Sequence, residues 1–284
     1  MAPTLAYTVH PGNGPYLALM HGFLSSSRQW LHNLSALSEV CQPVTIDLWG
    51  HGHSPLPDDA QQYLPEQYIT ALNAIRLELG ATRWLLCGYS ISAGLTIRYT
   101  QQFPQHVGAH IFTNSASAFA DTAQIAQWRR EGPQTAERLH TQGAKAIRRI
   151  PVHPRFARRL PKDVYDALLE DSAGLTPEAV AGALLHTSPN ACIRDIAPLN
   201  PRPALLCFGT FEKRFAPYKD WAAVHMRQLQ ITSLQAGHAV NMEDAGGFNA
   251  AVCEFIEQHS NATADPSNPH AAAGDQATAP LTKT

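Results

Sequence analysis

The sequence contains few charged residues and almost no excess of either sign. Charged side chains make up 15% of the 284 residues, and the formal net charge is -2 at pH 7. This composition offers no broad basic surface for nucleic acid or for an anionic membrane. The chain also has no apolar run long enough to cross a bilayer, and its first residues do not resemble a secretory signal. We therefore expect no nucleic-acid or membrane partner and a cytoplasmic location.

The cysteines do not form the pattern of a disulfide framework. There are five, they are widely spaced, and most lie in apolar stretches such as "LLCGY" and "ALLCFG". This pattern is typical of reduced, buried thiols. Histidines are more numerous, but His51 and His53 in "GHGHS" have no carboxylate or cysteine at a spacing that completes a metal site. The sequence therefore predicts neither a metal nor another cofactor.

What the sequence does contain is an alternation of short apolar segments with amphipathic ones. Short strands that alternate with helices are typical of βαβ units and a mostly parallel sheet. The near-continuous apolar character of "WLLC" and "ALLCF" favours strands covered on both faces. We predict strands at 5–9, 16–20, 43–47, 84–88, 109–114, 204–209 and 229–234, and helices at 27–39, 65–79, 92–103, 218–227 and 245–258.

One interval interrupts the alternation. Residues 120–198 contain no convincing strand, only helical patterns separated by prolines, and we interpret them as a helical lid. The core is then expected in two parts, 1–119 and 199–259. The last residues, 260–284, contain no aromatic side chain and almost no large apolar one. They cannot bury enough surface to offset the entropy lost on ordering, so we predict a disordered tail.

The segment "WLLCGYSISAG", from Trp84 to Gly94, has features of a nucleophile elbow. In an elbow, a serine lies on a strained turn between a strand and a helix, and the residues two before and two after it must be small. With Ser90 at the centre, those residues are Gly88 and Ser92. With Ser92 at the centre, the turn would fall inside the first turn of the predicted helix. We therefore favour Ser90 as the nucleophile and keep Ser92 as the alternative.

Two further motifs follow strands in the order that serine catalysis requires. "LALMHGFLSS" places His21, Gly22 and Phe23 directly after a strand. There the Phe23 N–H can form an oxyanion hole together with the Ile91 N–H. Near the end, "LQAGHAVNMEDAGGF" places His238 between the last strand and the closing helix. A histidine at that place can act as general base and acid.

With these motifs and the glycine-rich turn "DLWGHGHS", the chain resembles the α/β-hydrolase fold superfamily over about residues 5–258. It looks like the small single-domain serine hydrolases of that superfamily, which include esterases, lactonases and meta-cleavage C–C hydrolases. The resemblance implies a twisted, mostly parallel sheet of seven or eight strands flanked by helices. It also implies a helical lid inserted after the sixth strand, and we expect the first, outermost strand of the family to be missing.

The resemblance implies an acid as the third member of the triad. The turn after 204–209 reads "GTFEKRFAP", so Glu212 occupies a position where the family usually has Asp. The family uses both residue types to orient the histidine. Asp121 is a rival, because some relatives carry their acid after the preceding strand. Asp195 is less favoured because it lies before a strand and not in the turn after it.

Residues beside the predicted nucleophile and in the lid are candidates for substrate binding. His21, Gly22 and Tyr89 adjoin the predicted catalytic groups. The lid segment "KAIRRIPVHPRFARRLPK" (145–162) contains basic residues and no acid. Arg148 and Arg149 in it either form a solvated helix face or recruit an anionic substrate such as a carboxylate. The aromatic residues that either line an apolar pocket or belong to the core are Trp49, Phe119, Trp128 and Phe215.

Three functions remain open. The first is a serine hydrolase that attacks a carboxylic ester, a lactone or a ketone-adjacent C–C bond of a small molecule. The second is a lyase, because "HGF", "GYS" and "GTFEKRF" are similar to segments of the menaquinone-pathway enzyme, SHCHC synthase, which eliminates pyruvate from a carboxylated intermediate. The third is a non-catalytic ligand-binding relative that kept the fold without turnover.

Overall fold

Eight strands form one sheet in the computed structural model, which describes residues 4–259 and 281–283. In chain order they are β1 Tyr7–Val9, β2 Tyr16–Met20, β3 Gln42–Ile46, β4 Trp84–Gly88, β5 Val107–Thr113, β6 Ala204–Gly209, β7 Leu229–Leu234 and β8 Leu281–Lys283. Across the sheet the order is β7-β6-β5-β4-β2-β3-β1-β8. Strands β2 to β7 are parallel, and only the β1–β3 and β1–β8 pairs among the described strands are antiparallel. The predicted fold class is confirmed.

Helices flank the sheet. Their bounds are α1 Leu34–Leu37, α2 Pro65–Glu78, α3 Ile91–Gln102, α4 Ala116–Phe119, α5 Thr122–Gln142, α6 Ala144–Ile147, α7 Lys162–Ser172, α8 Pro177–Gly182, α9 Ala216–His225, α10 Val240–Glu243 and α11 Ala245–His259. A π turn covers Ala183–Thr187, and the 3₁₀ turns are Ser27–Trp30, Ala60–Tyr63, Pro104–His106, Pro154–Phe156, Ser188–Asn190, Ala197–Leu199 and Lys213–Phe215. None of the helices within 4–259 is both long and apolar enough to span a membrane.

Four of the five predicted helices correspond to α2, α3, α9 and α11. The prediction of one continuous helix over 27–39 is wrong. The chain forms a 3₁₀ turn at Ser27–Trp30, and α1 begins separately after Asn33. The break has a physical cause, because the buried Asn33 side chain donates to Asn241 O (3.0 Å) and to Asn249 Oδ1 (2.8 Å). The segment is therefore tied to α10 and α11 at that point.

The central strands are buried on both faces, as their apolar sequences predict. Every residue of β4, β5 and β6 is buried. Successive side chains of a strand point to opposite faces. Leu85 thus belongs to the core cluster that contains Phe248 of α11, and Leu86 belongs to the cluster that contains Leu72 of α2 and Leu95 of α3. The sheet is held between these two apolar layers.

The segment predicted as a lid contains α5 to α8 and short turns, and its described residues include no strand. It lies between β5 and β6, so it follows the fifth strand of the chain and not the sixth as expected. The five strands that precede it in the chain are β1 to β5. The segment is held to the core at Arg28, whose Nη1 lies 2.7 Å from Glu170 Oε2 and 2.9 Å from Asp171 Oδ1 of α7.

The predicted disordered tail lies mostly outside the described residues. Within 260–284 the structure describes only Leu281–Lys283, as a three-residue strand paired with Tyr7–Val9 at the edge of the sheet. A strand can form there because the outer edge of β1 presents unpaired backbone groups. For the rest of the segment, which lies outside the described residues, the disordered tail stays a prediction.

The parallel arrangement brings the predicted site residues to one edge of the sheet. The segments after β2, β4, β5 and β6 all leave the sheet at its carboxyl end, which is where open α/β sheets bind ligands. Phe23 follows β2, Ser90 follows β4, Asn114 follows β5 and Glu212 follows β6. The loop after β7 carries His238 to the same edge.

Candidate active site

Ser90 lies at a sharp turn between β4 and α3. Its backbone angles are φ 54 and ψ -114, which a residue other than glycine adopts only under strain. Close packing around the turn explains the glycine two residues earlier. A Cβ on Gly88 would lie 2.5 Å from Ser92 O and closer still to Thr96 Oγ1. The strand and the helix therefore approach each other as an elbow requires.

Ser92 occupies the place where the elbow pattern has its second glycine. The residue is fully buried, and its hydroxyl donates to His21 O at 2.6 Å. Because this buried hydroxyl has an acceptor, a serine is tolerated at the position. The bond also links the start of α3 to the end of β2. Ser92 is thus held by a structural contact, and among the described residues the hydroxyl that bonds to His238 is that of Ser90.

Three side chains form a continuous hydrogen-bond chain at the edge of the sheet. His238 Nε2 lies 2.9 Å from Ser90 Oγ, and His238 Nδ1 lies 2.9 Å from Glu212 Oε2. An ionised carboxylate only accepts hydrogen bonds, so the proton is on Nδ1 and Nε2 is free to accept from the serine hydroxyl. This arrangement has the geometry of a nucleophile, a general base and the acid that orients the base.

Glu212 is held in the ionised form by its neighbours. Burial alone would raise the pKa of its carboxyl, but the hydrogen bond and charge of His238 outweigh burial, together with hydrogen bonds from Asn114 and Arg214. The result is a pKa lowered from 4.5 to about 2. Asn114 Nδ2 donates to Oε2 at 2.8 Å, and Arg214 Nε donates to Oε1 at 2.9 Å. The sequence motifs do not identify Asn114 and Arg214 as partners of Glu212.

The rival acids are not near the histidine. Asp121 is exposed at the start of α5, where its Oδ1 accepts from the Gln124 N–H at 2.8 Å and caps the helix. Asp195 is exposed and precedes β6. The structure brings only Glu212, of the three candidates, into contact with His238. The Asp121 carboxylate is engaged as a helix cap instead and has no contact with His238.

Two backbone amides are available for an oxyanion beside Ser90. Within the described residues, the N–H groups of Phe23 and Ile91 donate to no protein acceptor, and both residues line the cavity next to Ser90. The loop that carries Phe23 is held in place, because the Gly22 N–H donates to Gln29 Oε1 at 3.1 Å. A Cβ on Gly22 would lie 2.5 Å from Tyr89 Cδ1, so only glycine fits between this loop and the elbow.

His21 and Gly22 do not line the cavities next to Ser90 and His238, and their predicted role in substrate binding stays a prediction. His21 is fully buried below the loop, where its Nδ1–H donates to Gly22 O (2.7 Å) and its Nε2 accepts from the Leu48 N–H (2.9 Å). Burial lowers the pKa of His21 and lowers the pKa of His51 to about 4. Both rings therefore serve as neutral packing groups. Among the described residues no group of His, Cys, Asp and Glu side chains is placed to hold a metal.

Two cavities meet at Ser90 and His238. The narrow cavity, of about 370 Å³, includes Tyr89, as the sequence predicts, together with lid residues from Pro151 to Leu160. The wide cavity, of about 580 Å³, is lined by Trp128, Phe215 and other apolar side chains. Trp49 and Phe119 are buried in the core instead. The lid residues Pro151 and Val152 line both cavities.

Arg148 and Arg149 line neither cavity, and their predicted role in substrate binding stays a prediction. Helix α6 buries Ile147, and the two arginines that follow it are exposed on the outer side. Arg149 Nη1 donates to Gln142 Oε1 at 3.3 Å. The basic residues that do line the narrow cavity are Arg158, Arg159 and Arg214.

The family follows from a direct comparison with known sequences. A model of the alpha/beta hydrolase fold matches residues 15–245. The chain belongs to the alpha/beta hydrolase fold family. The predicted superfamily is thereby confirmed.

Two proteins are similar to part of the chain. It is 28% identical over 128 residues to an uncharacterized protein of Mycobacterium tuberculosis, a match that covers 42% of the chain and 37% of the relative, so the chain spans well under two thirds of that protein. It is 32% identical over 112 residues to a pimeloyl-[acyl-carrier protein] methyl ester esterase of Nitrosomonas europaea, with 39% of the chain and 42% of the relative covered.

Two similarities extend over nearly the whole chain. It is 25% identical over 260 residues to a 2-succinyl-6-hydroxy-2,4-cyclohexadiene-1-carboxylate synthase of Yersinia enterocolitica, with 87% of the chain and 88% of the relative covered. The structure of MenH from S. aureus superposes with a TM-score of 0.80 at 19% identity and covers 90% of the chain and 99% of that protein. The structural likeness establishes the shared fold.

Proposed function

We propose that this protein is a serine hydrolase that cleaves a carboxylic ester of a small molecule. The observation that carries the proposal is the hydrogen-bond chain from Ser90 through His238 to Glu212, beside the N–H groups of Phe23 and Ile91. A nucleophile, a base, an orienting acid and an oxyanion site are the groups that acyl transfer requires. The esterase name of one relative agrees with this reaction class.

The first half-reaction follows from the positions of these groups. His238 Nε2 takes the proton of Ser90 as Oγ attacks the ester carbonyl, and the carbonyl oxygen becomes an oxyanion bound by the two amides. Each oxyanion donor typically lowers such a barrier by ~2.7–4 kcal/mol. The intermediate then collapses, the bond to the alcohol oxygen breaks, and His238 returns its proton to that oxygen. The acyl group remains on Ser90.

The second half-reaction releases the acid. A water molecule transfers a proton to His238 Nε2 and attacks the acyl carbonyl, and the collapse of the second intermediate returns a proton to Ser90 Oγ. Glu212 stays ionised throughout because its pKa is about 2. Its charge stabilises the imidazolium that forms in each step, and its hydrogen bond keeps the proton on Nδ1.

A fluorophosphonate probe tests the proposal. The probe reacts with an activated serine that has a working oxyanion site, and mass spectrometry of the digested protein identifies the labelled residue. We expect the label on Ser90, loss of labelling in Ser90→Ala and retained labelling in the matched variant Ser92→Ala. The same proteins are then assayed with 4-nitrophenyl esters. A folded protein without label and without ester turnover refutes the proposal.

A second candidate is a lyase of the SHCHC synthase type on the same three residues. It is favoured by the similarity to the Yersinia enterocolitica synthase over 87% of the chain. In such a reaction Ser90 would abstract a proton and would form no acyl intermediate. An assay for pyruvate release from the succinylated cyclohexene intermediate distinguishes the two, since the ester hydrolase releases no pyruvate.

A further inference from the structure

The narrow cavity contains more positive than negative charge. Three arginines line it, Arg158, Arg159 and Arg214. Glu243 also lines it, and Glu212 lies at its edge through the bond to Arg214. His153 is buried there, and its pKa is lowered by burial and by the charges of Arg148 and Arg155, so it adds no charge at neutral pH. The balance is three cations against two carboxylates, which leaves one positive charge.

Ion pairing within the cavity identifies which arginine holds that charge. Arg159 Nε lies 2.6 Å from Glu243 Oε2, and Arg214 Nε lies 2.9 Å from Glu212 Oε1. The Arg158 guanidinium has no carboxylate or hydrogen-bond partner among the described residues, although it lines the same cavity. An arginine left unpaired beside a nucleophile can bind a planar anion through two N–H groups.

A second polar group in the cavity is also without a partner. Ser25 lines it, and the Ser25 Oγ is buried with no hydrogen-bond partner in the described protein. A buried hydroxyl usually has a partner, because leaving it unsatisfied costs about 1–3 kcal/mol. Ser25 is two residues after Phe23 in the chain, and both residues line this cavity together with Ser90.

We propose that the narrow cavity binds a carboxylate of the substrate, with Arg158 pairing with the anion and the Ser25 hydroxyl donating to it. The substrate class is then an ester that carries one free carboxylate and places an apolar group in the wide cavity. A single unpaired cation matches a monoanion better than a dianionic phosphate. This inference rests on the proposed ester hydrolysis and adds the substrate class to it.

Matched pairs of esters test the inference. One pair is mono-4-nitrophenyl glutarate and 4-nitrophenyl pentanoate, which differ by a carboxylate on the acyl part. The other pair is 4-carboxyphenyl pentanoate and 4-carbamoylphenyl pentanoate, which differ by a carboxylate on the alcohol part. The value of kcat/KM is measured for each ester with the wild type, Arg158→Gln and the control Arg148→Gln. Arg148 belongs to the same basic segment but lies outside both cavities.

The expected result is a change in preference and not a general loss. In at least one pair, the ratio of kcat/KM for the anionic ester to that for the neutral ester falls about 5- to 10-fold in Arg158→Gln, which is the scale of a charged hydrogen bond reduced by solvent exposure. Arg148→Gln keeps the wild-type ratio. Ser25→Ala lowers the same ratio through KM.

Two results would overturn the inference. An unchanged ratio in Arg158→Gln for both pairs, in an enzyme that hydrolyses the neutral esters, refutes the anion site and leaves ester hydrolysis intact. If the kcat/KM ratio of anionic to neutral ester falls equally in Arg148→Gln, the preference for the anionic ester comes from the overall positive charge of the segment and not from a site in the cavity. If no ester of either pair is hydrolysed and the fluorophosphonate does not label Ser90, the proposed function fails and the inference fails with it.

Discussion

Replacing Glu212 with glutamine removes one charge from the site and changes its shape little. The Glu212 carboxylate accepts three hydrogen bonds, from His238 Nδ1 and Asn114 Nδ2 at one oxygen and from Arg214 Nε at the other. A glutamine amide has only one accepting oxygen. The orientation that keeps this oxygen toward His238 sets the amide N–H₂ against the Arg214 donor. The histidine remains oriented, but the imidazolium formed during catalysis no longer faces an anion.

The size of the expected effect follows from this geometry. The Nδ1 to Oε2 distance is 2.9 Å, which places the centres of the two charges roughly 4 Å apart. At an effective dielectric constant of about 20, such a pair is worth about 4 kcal/mol. Each 1.36 kcal/mol in the barrier changes the rate tenfold, so we expect kcat for Glu212→Gln to fall by about 10³-fold. KM should change little, since Glu212 acts through His238.

The assay is steady-state hydrolysis of a 4-nitrophenyl ester, with circular dichroism to show that each variant is folded. The matched control is Asp121→Asn, which makes the same carboxylate-to-amide change at the rival acid. Asparagine caps a helix about as well as aspartate, so Asp121→Asn should leave both the stability and kcat nearly unchanged. The reasoning is refuted if Glu212→Gln retains more than about a tenth of the wild-type kcat, or if Asp121→Asn loses as much.

Three further changes test other parts of the account. Ser92→Gly removes the buried hydrogen bond to His21 O and should reduce the free energy of unfolding by about 1–2 kcal/mol in urea titration. Ser90 should still react with the fluorophosphonate, and an unchanged stability would contradict the structural role of Ser92. Gly88→Ala should cost about 1–3 kcal/mol or prevent folding, and a wild-type melting temperature would contradict the close approach at the elbow. The lowered pKa of Glu212, about 2 against 4.5, stabilises the folded state above pH 4.5 by roughly 3 kcal/mol, and this contribution is lost as the pH falls from about 4.5 to 2. The stability difference between wild type and Glu212→Gln should therefore shrink over that range, and a constant difference would contradict the pKa.

The strands and the reacting groups could be predicted because their patterns are local. Apolar runs define β4 and β6, and the small residue at Gly88 identifies the elbow and the register of Ser90. Glu212 follows the end of β6 by a few residues, and His238 follows the end of β7 by a few residues. In a parallel sheet the ends of neighbouring strands meet at one edge, so the sequence order already implies that these side chains converge.

The lid could not be predicted at the level of single residues. Its arginines are similar in sequence, and whether one faces the cavity depends on how the chain turns around Pro151 and Pro154. Arg158 lines the narrow cavity and Arg148 lines neither cavity. No periodicity in the segment predicts that difference. Asn114 was missed for a related reason, because its contact with Glu212 joins the ends of two strands that are far apart in the chain.

The most direct test of the central claim is to trap the acyl group during turnover. Mixing the enzyme with a 4-nitrophenyl ester, quenching it with acid within the first turnover and mapping the added mass locates the nucleophile. We predict the acyl group on Ser90, together with a burst of 4-nitrophenol that approaches one equivalent when deacylation is slow. Turnover with the acyl group on Ser92 or on another residue would contradict it.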